Sequence, residues 1–584
     1  MAVKEARLFG RSRVNRLDLG SVPETFLYLL SFLAAAVILA LLAVVLLSTF
    51  QEGLPELGGR LSLGNYREAL GDSFTYRAGL NSLLLGAGTV AVNLFFAVPM
   101  AWIIHRTDLP YKNLFLTLMY IGVAIPGFLR AIAWILLLSP KIGLLNQFLR
   151  ILWPASEGPL SIYNLPGMAF VQGLMLAPVM FFMISAPFTA IDPQLEESAD
   201  VCGARWFVIL KRVTGPLILP ALAAAVIYNF MSAVSIFEIP ALLGLPARIQ
   251  VLSTLLFFTV NTDVGVPQYG LAGVYGVLLV VPMLIGLFFY QRLLRKGYRY
   301  GVVTGKGYRR KLMNLGRWKW VAVGFLSFFF LLNLVLPFLV LVWTSLIPFI
   351  QLPSAKALSA LSLDGYHQAL GVLSGRPLLN TVVLMVVVAA VVLFFSTIIS
   401  WIVLRSRLPG RYFLDTVTML PHATPSLAFA FAISYVALSL ARVVPLNGTL
   451  AVIIIAHIVT YISYGTRTIN GSLIQIHQDL EDAVTTSGGS KLTVLHKVIL
   501  PLLSPALFYC GLWVALLSYR EVTMALFLQS PRNMVISTAI WNLWAANKPA
   551  EAAALGVITF GVAAVGVLFL LRTAGQFVYG LRSG

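Results

Sequence analysis

Apolar residues run along this chain in long blocks broken by short polar stretches, the spacing of a polypeptide that crosses a bilayer many times. A helix needs about 20 apolar residues to span the hydrocarbon core. Twelve segments qualify: 25–49, 80–104, 113–138, 165–187, 217–241, 269–290, 319–345, 378–404, 412–438, 448–465, 502–527 and 553–573. The pattern therefore predicts an all-α transmembrane fold of about 12 spanning helices, with both termini on one side. The longest polar run, Gln291 to Lys319, holds ten Lys or Arg and no acid. The loop with Arg106 and Lys112 is basic, as is the one with Arg405, Arg407 and Arg411, and all three runs fall on the side of the N-terminus. The positive-inside rule makes that side cytoplasm, so both termini are expected there. The opposite loops are mixed: 50–79 carries Glu52, Glu56, Glu68 and Asp72 against three arginines.

The polar breaks also repeat. Asn81, Trp102, Arg106, Pro110 and Pro126 recur 299 positions on as Asn380, Trp401, Arg405, Pro409 and Pro425. Further along, Leu195-Glu196-Glu197-Ser198-Ala199, Gly203 and Val213-Thr214-Gly215-Pro216 recur as Leu480-Glu481-Asp482-Ala483-Val484, Gly488 and Val498-Ile499-Leu500-Pro501, now 285 positions on. The change of offset puts a net 14 extra residues in the first half, expected in the outer segment 139–164. Val251-Leu252-Ser253-Thr254 returns as Val535-Ile536-Ser537-Thr538. Two parallel six-helix pseudo-repeats follow: a tail at 1–24, a first half at 25–290, a basic cytoplasmic linker at 291–318 and a second half at 319–584. The first and seventh spans stand outside the repeat and look like peripheral additions to a five-helix core.

The cassettes occupy the cytoplasmic loops 188–216 and 473–501. In each, acid to glycine is six residues and glycine to proline thirteen. An acid suits a helix N-terminus, glycine permits a turn or a close backbone approach, and proline suits the first turn of the next span. A connector of this kind is ordinary once; two with one spacing in matching loops describe a docking surface built twice.

Composition agrees and narrows the class. Of 584 residues, 59% are hydrophobic and 11% charged, against about 25% charged in soluble proteins. The net charge of +19 is that of cytoplasmic loops beside lipid, and nucleic acid is not expected as a partner. Cys202 and Cys510 form no metal or redox motif. Lys4, Arg7, Arg11, Arg13 and Arg16 precede an apolar stretch too long for a signal-peptide core, so it reads as a first span.

The cassettes resemble the cytoplasmic loop of permease subunits in binding-protein-dependent ABC importers: Glu-Ala-Ala, three residues, Gly, nine residues, Ile-x-Leu-Pro. Here the matching residues are Glu197, Ser198, Ala199, Gly203, Val213, Gly215 and Pro216, then Asp482, Ala483, Val484, Gly488, Val498, Leu500 and Pro501. Because both halves carry the loop, the chain resembles the fused permeases of the ferric-iron type. The resemblance implies a type I importer permease in a bacterial inner membrane. It implies two copies of a cytoplasmic ABC ATPase seated on the two loops, and an extracytoplasmic solute-binding protein. ATP and magnesium would then belong to the ATPase, with no cofactor in this chain. Ferric iron is the first choice of cargo on that likeness, with thiamine, polyamines and phosphonates as alternatives. A gradient-driven secondary transporter also uses parallel halves but has no use for two docking handles, and a membrane scaffold needs no moving pore.

Polar groups within spans are costly, about 2.5–3.5 kcal/mol at mid-membrane, and are functional candidates by default. Glu238 and Glu521 stand at similar points of the fifth and eleventh spans, placed near the outer mouth. There they could meet a cation or hold a gate through Arg520, or simply be solvated. Arg130 and His422 lie beside Pro126 and Pro425, where a bend is expected to line a cavity. Asn229 could line the path or bond a neighbouring helix. No acid is clearly central. The six histidines are scattered with no metal-ligand spacing. Gly301-Val302-Val303-Thr304-Gly305-Lys306-Gly307 has the wrong spacing for a Walker A loop, and Gly307 stands where Ser or Thr should hold magnesium. No catalytic motif appears, so a non-catalytic chain is expected.

Overall fold

A computed structural model describes residues 22–56, 60–153, 160–190, 193–262, 265–297, 312–406 and 409–580. The basic N-terminal tail, the centre of the linker with its glycine run, and Arg407 lie outside the described residues. Within them the chain is all helical, with only isolated bridges in place of strands. Ten helices are long and apolar enough to cross a membrane, and two more crossings are helix pairs broken in the middle.

Those two are the third and ninth expected spans. Lys112–Ala124 meets Gly127–Leu138 at 97°, and Arg411–Ala423 meets Ser426–Ser439 at 104°. Proline causes both breaks. Pro126 and Pro425 lack the N–H that would continue the ladder, and they push the preceding residue out of helical conformation. Ile125 accordingly has ψ 132° and Thr424 ψ 132°. The bends are nearly right angles, so the second piece of each pair runs across the bundle.

The duplicated polar residues outside the cassettes fasten the outer end of each half. Asn81 donates to the Gln250 carbonyl (3.0 Å) and Asn380 to that of Met534 (2.9 Å). The first free N–H of helix Leu252–Val260 donates to the Ser82 hydroxyl (2.9 Å), and that of Ile536–Ala545 to Thr381 (2.9 Å). Thr254 and Thr538 accept from the backbone N–H three residues earlier. Helix N-termini buried in apolar surroundings need such acceptors, which explains why Val-x-Ser-Thr occurs twice. The 14 extra residues of the first half contain a short helix, Leu144–Leu152.

The first and seventh spans are not mere additions at the edge: each clasps the opposite half. Val22–Ser48 packs on Arg411–Ala423 and Ser426–Ser439 of the second half, and Leu336–Ser345 packs on Gly127–Leu138 of the first. Both hydrophobic cores accordingly mix residues of the two halves. Phe26, Leu29, Leu33 and Val37 on the first span remain exposed, a helical stripe suited to lipid.

Candidate functional site

Each cassette begins as a short helix, Pro193–Val201 and Asp479–Thr486, and closes at its glycine. Gly203 has φ +79° and Gly488 φ +84°, a left-handed conformation costing other residues about 1–2 kcal/mol. Ala204 N–H then reaches the Ala199 carbonyl (3.0 Å) and Gly489 N–H that of Val484 (2.9 Å), the bond that satisfies a helix's last carbonyls. A Cβ built on either glycine would meet nothing within 4 Å. Packing within the chain therefore does not require these glycines; backbone conformation does, and the space beyond them is open.

The segment after the glycine does not stop at its proline, where the sequence pattern placed the first turn of the next span. It is the start of the next span, in helices running Phe207–Ser235 and Lys491–Arg520. Pro216 and Pro501 are tolerated inside them because one wide turn precedes each. Gly215 N–H bonds the Leu210 carbonyl and Leu500 N–H that of Leu495, five residues back, which relieves the clash of a proline ring with the carbonyl four residues earlier. The cassette helix is thus joined to its span through one left-handed glycine.

What anchors each handle is the acid one position before the motif acid. Glu196 forms an ion pair with the Arg106 guanidinium at 2.8 Å, and Glu481 accepts from Arg405 Nε at 2.6 Å. Arg405 also donates to the carbonyls of Leu473 (3.1 Å) and Ile476 (2.8 Å), and Thr214 donates to Glu196 (2.6 Å). Both arginines end the first helix of their repeat core. Of the motif residues, Glu197 is half-buried, and Asp482 and Ala483 are exposed. The signal for these pairs was in the sequence, since Arg106/Arg405 and Glu196/Glu481 each repeat at their block's offset.

The intramembrane candidates divide. Asn229 accepts from Asn93 (3.3 Å) and donates to the Ala225 carbonyl (2.9 Å), so it joins two helices of the first half. His422 is exposed, and its ring stacks on Tyr228 of the other half with centroids 5.0 Å apart. Glu238 and Glu521 are not symmetry mates. Helix Gly215–Ser235 matches Leu500–Arg520, so Ile236 is the counterpart of Glu521, and Ser253 and Ser537 bond those two carbonyls (2.9 and 2.8 Å). Glu521 caps the short helix Thr523–Phe527, accepting from Met524 N–H at 3.0 Å, and lies 3.4 Å from His457 Nε2. Glu238 packs against Gly127 and has Arg520, Arg130 and Glu521 as charged neighbours. The group lies within the bundle, not at its mouth: His457 is seven residues, about 10 Å, from the outer end of Leu450–Leu473. Among the described residues no three His, Cys, Asp or Glu converge as metal ligands.

A helical bundle with two proline-broken helix pairs and one matched cassette per half is the architecture of a membrane transport subunit. The chain belongs to the family of binding-protein-dependent transport system inner membrane components, which matches residues 94–300 and 397–580, once in each half. It is similar to a ferric transport system permease protein of Actinobacillus pleuropneumoniae, with 24% identity over 86% of this chain and 71% of that one. It is also similar to an Fe(3+)-transport system permease protein of Haemophilus influenzae, with 22% identity over 76% of this chain and 79% of that one. A solved bacterial ABC transporter importing alginate aligns over 44% of this chain and 96% of its own, at 17% identity and TM-score 0.35, too slight a likeness to argue from. The chain is a fused two-half permease, a multi-pass inner-membrane protein of an ABC importer.

Proposed function

We propose that this chain forms the whole translocation path of an importer for ferric iron delivered by an extracytoplasmic solute-binding protein. Two copies of a cytoplasmic ABC ATPase grip Pro193–Val201 and Asp479–Thr486, and both termini face them. ATP and magnesium reside on the ATPase; this chain performs no chemistry and holds no cofactor of its own. The observation that carries the reading is the pair of matched handles: an acidic helix, a left-handed glycine with open space before it, and an arginine tie to the core. A handle that must transmit a rigid-body shift needs a stiff tie behind it and an unobstructed face in front. Ferric iron is supported by the names of the similar permeases.

The test is a mild-detergent pull-down from native membranes, with partners counted by mass, followed by radio-iron uptake in cells carrying or lacking the chain. Two ATPase copies per chain and lost iron uptake on deletion are expected. A chain that stays alone while other membrane complexes survive refutes the docking. Normal iron uptake with lost uptake of thiamine, a polyamine or a phosphonate refutes the cargo.

A further inference from the structure

Four charged residues, Arg130, Glu238, Arg520 and Glu521, gather at one of the two proline breaks. Pro126 has no N–H for the Gly122 carbonyl, and the 97° turn carries Gly127 N–H away from Val123. The last turn of Lys112–Ala124 therefore ends inside the bundle with bare carbonyls, the negative end of a helix in a medium without water. Two guanidiniums fill them. Arg130, fully buried, donates to Gly122 and to Ile125 (3.2 Å). Arg520, from the other half, donates to the carbonyl of Val123. Arg130 also crosses between halves, donating to the Asn333 carbonyl on the seventh span (3.4 Å). The facing helix, Gly127–Leu138, begins against the Glu238 carboxylate, a negative charge at its positive end.

The other break lacks these four charges; Arg467 lies near His422 there, but it is paired with Asp415 at 2.6 Å. Counterparts of Arg130 and Arg520 are Phe429 and Ser235, and those of Glu238 and Glu521 are Thr523 and Ile236. In a duplicated chain, four charges at one break whose counterparts at the other are uncharged mark a function that this break alone supplies. We propose that Arg520 is a latch between the two halves: it holds the outer part of the pore shut by gripping the broken helix end at Val123. Arg130 is its static companion, and Glu238 and Glu521 are their counter-charges. The first break is then the fixed jamb of the gate and the Pro425 break the moving leaf. Opening to the outside parts Arg520 from Val123.

The latch rests on the chain being a pore that alternates its access, so its readout uses no ATPase. In a chain with Cys202→Ser and Cys510→Ser, a reporter cysteine replaces Ser232, which lies one turn from Tyr228 on the face turned to the other half. Labelling by a membrane-impermeant maleimide is then timed from outside in intact cells. With Arg520 present, slow labelling is expected. Arg520→Met should label at least about tenfold faster, the shift for losing one charge-assisted hydrogen bond, and Arg520→Lys, which keeps a donor, should stay slow. Equal rates for Met and wild type overturn the latch. So does loss of both Arg520→Met and Arg520→Gln from the membrane, which would make Arg520 a packing residue. Failure of the ATPase pull-down with fast labelling of Arg520→Met would refute the importer reading and leave the latch standing.

Discussion

Replacing Arg405 by alanine tests whether the handles transmit force through their arginine ties. The side chains of Arg405 and Glu481 are 11% and 13% exposed and 2.6 Å apart. Removing one partner of a fully buried pair costs about 3–5 kcal/mol, and of an exposed pair about 0.2–1 kcal/mol. This pair lies nearer the buried limit, and Arg405→Ala also frees the carbonyls of Leu473 and Ile476. A loss of about 3 kcal/mol follows, or about a hundredfold shift in the docked fraction of Asp479–Thr486, at tenfold per 1.4 kcal/mol. The first-half pair should matter less. Arg106 and Glu196 are 6% and 24% exposed and 2.8 Å apart, but Arg106 Nη2 lacks hydrogen-bond alignment, which leaves about 1–2 kcal/mol. The assay is solute moved per ATP hydrolysed in proteoliposomes holding the chain, its ATPase and its binding protein. Arg405→Ala should keep hydrolysis and lose most transport, Arg106→Ala should lose less, and Arg405→Ala with Glu481→Ala should fall short of additive. An unchanged ratio in Arg405→Ala, or strictly additive single effects, refutes the tie.

Gly488→Ala and Gly203→Ala should each cost about 1–2 kcal/mol of local stability through the left-handed φ alone, read as slightly faster proteolysis of the loop. Gly488→Trp or Gly203→Trp should leave the chain in the membrane yet release the ATPase in a pull-down; unimpaired uptake by both would show that the open space is not a docking face. Glu521→Gln should be mild, since the amide oxygen still caps Thr523–Phe527, whereas Glu521→Ala should cost about 1 kcal/mol of thermal stability; equal melting of the two variants would exclude the cap. Pro425→Ala restores one backbone donor and should partly straighten the 104° break, slowing uptake without loss from the membrane; normal uptake would mean that this break does not move.

The linear chain determined most of the architecture, because membrane insertion is read from local composition. Twenty apolar residues in a row have one stable way to satisfy their backbone in lipid, so ten crossings and both broken ones were legible. Loop arginines gave an expected sidedness, and two blocks of repeated residues gave the parallel halves. The cassette glycines were legible for the same local reason: their left-handed backbone is an address that few other residues tolerate.

Tertiary structure decided what depends on distance between segments far apart in sequence. Proline announces a break but not its angle, which is set by what the second piece packs against; here it turned through nearly 100°. That the first and seventh spans also pack on the opposite half is invisible to periodicity, because a lipid-facing stripe looks the same on either half. Glu238 and Glu521 looked like mates because each ends a span; the 285-residue offset already pairs Ile236 with Glu521, and the helix ends at Ser235 and Arg520 agree. Arg130 and Arg520 read as candidates along a path, whereas their donors go to carbonyls that the Pro126 break left without partners, eight residues or more than half a protein away. A bare carbonyl has no letter in a sequence. It exists only once the chain has bent, and the charges that answer it can be understood only there.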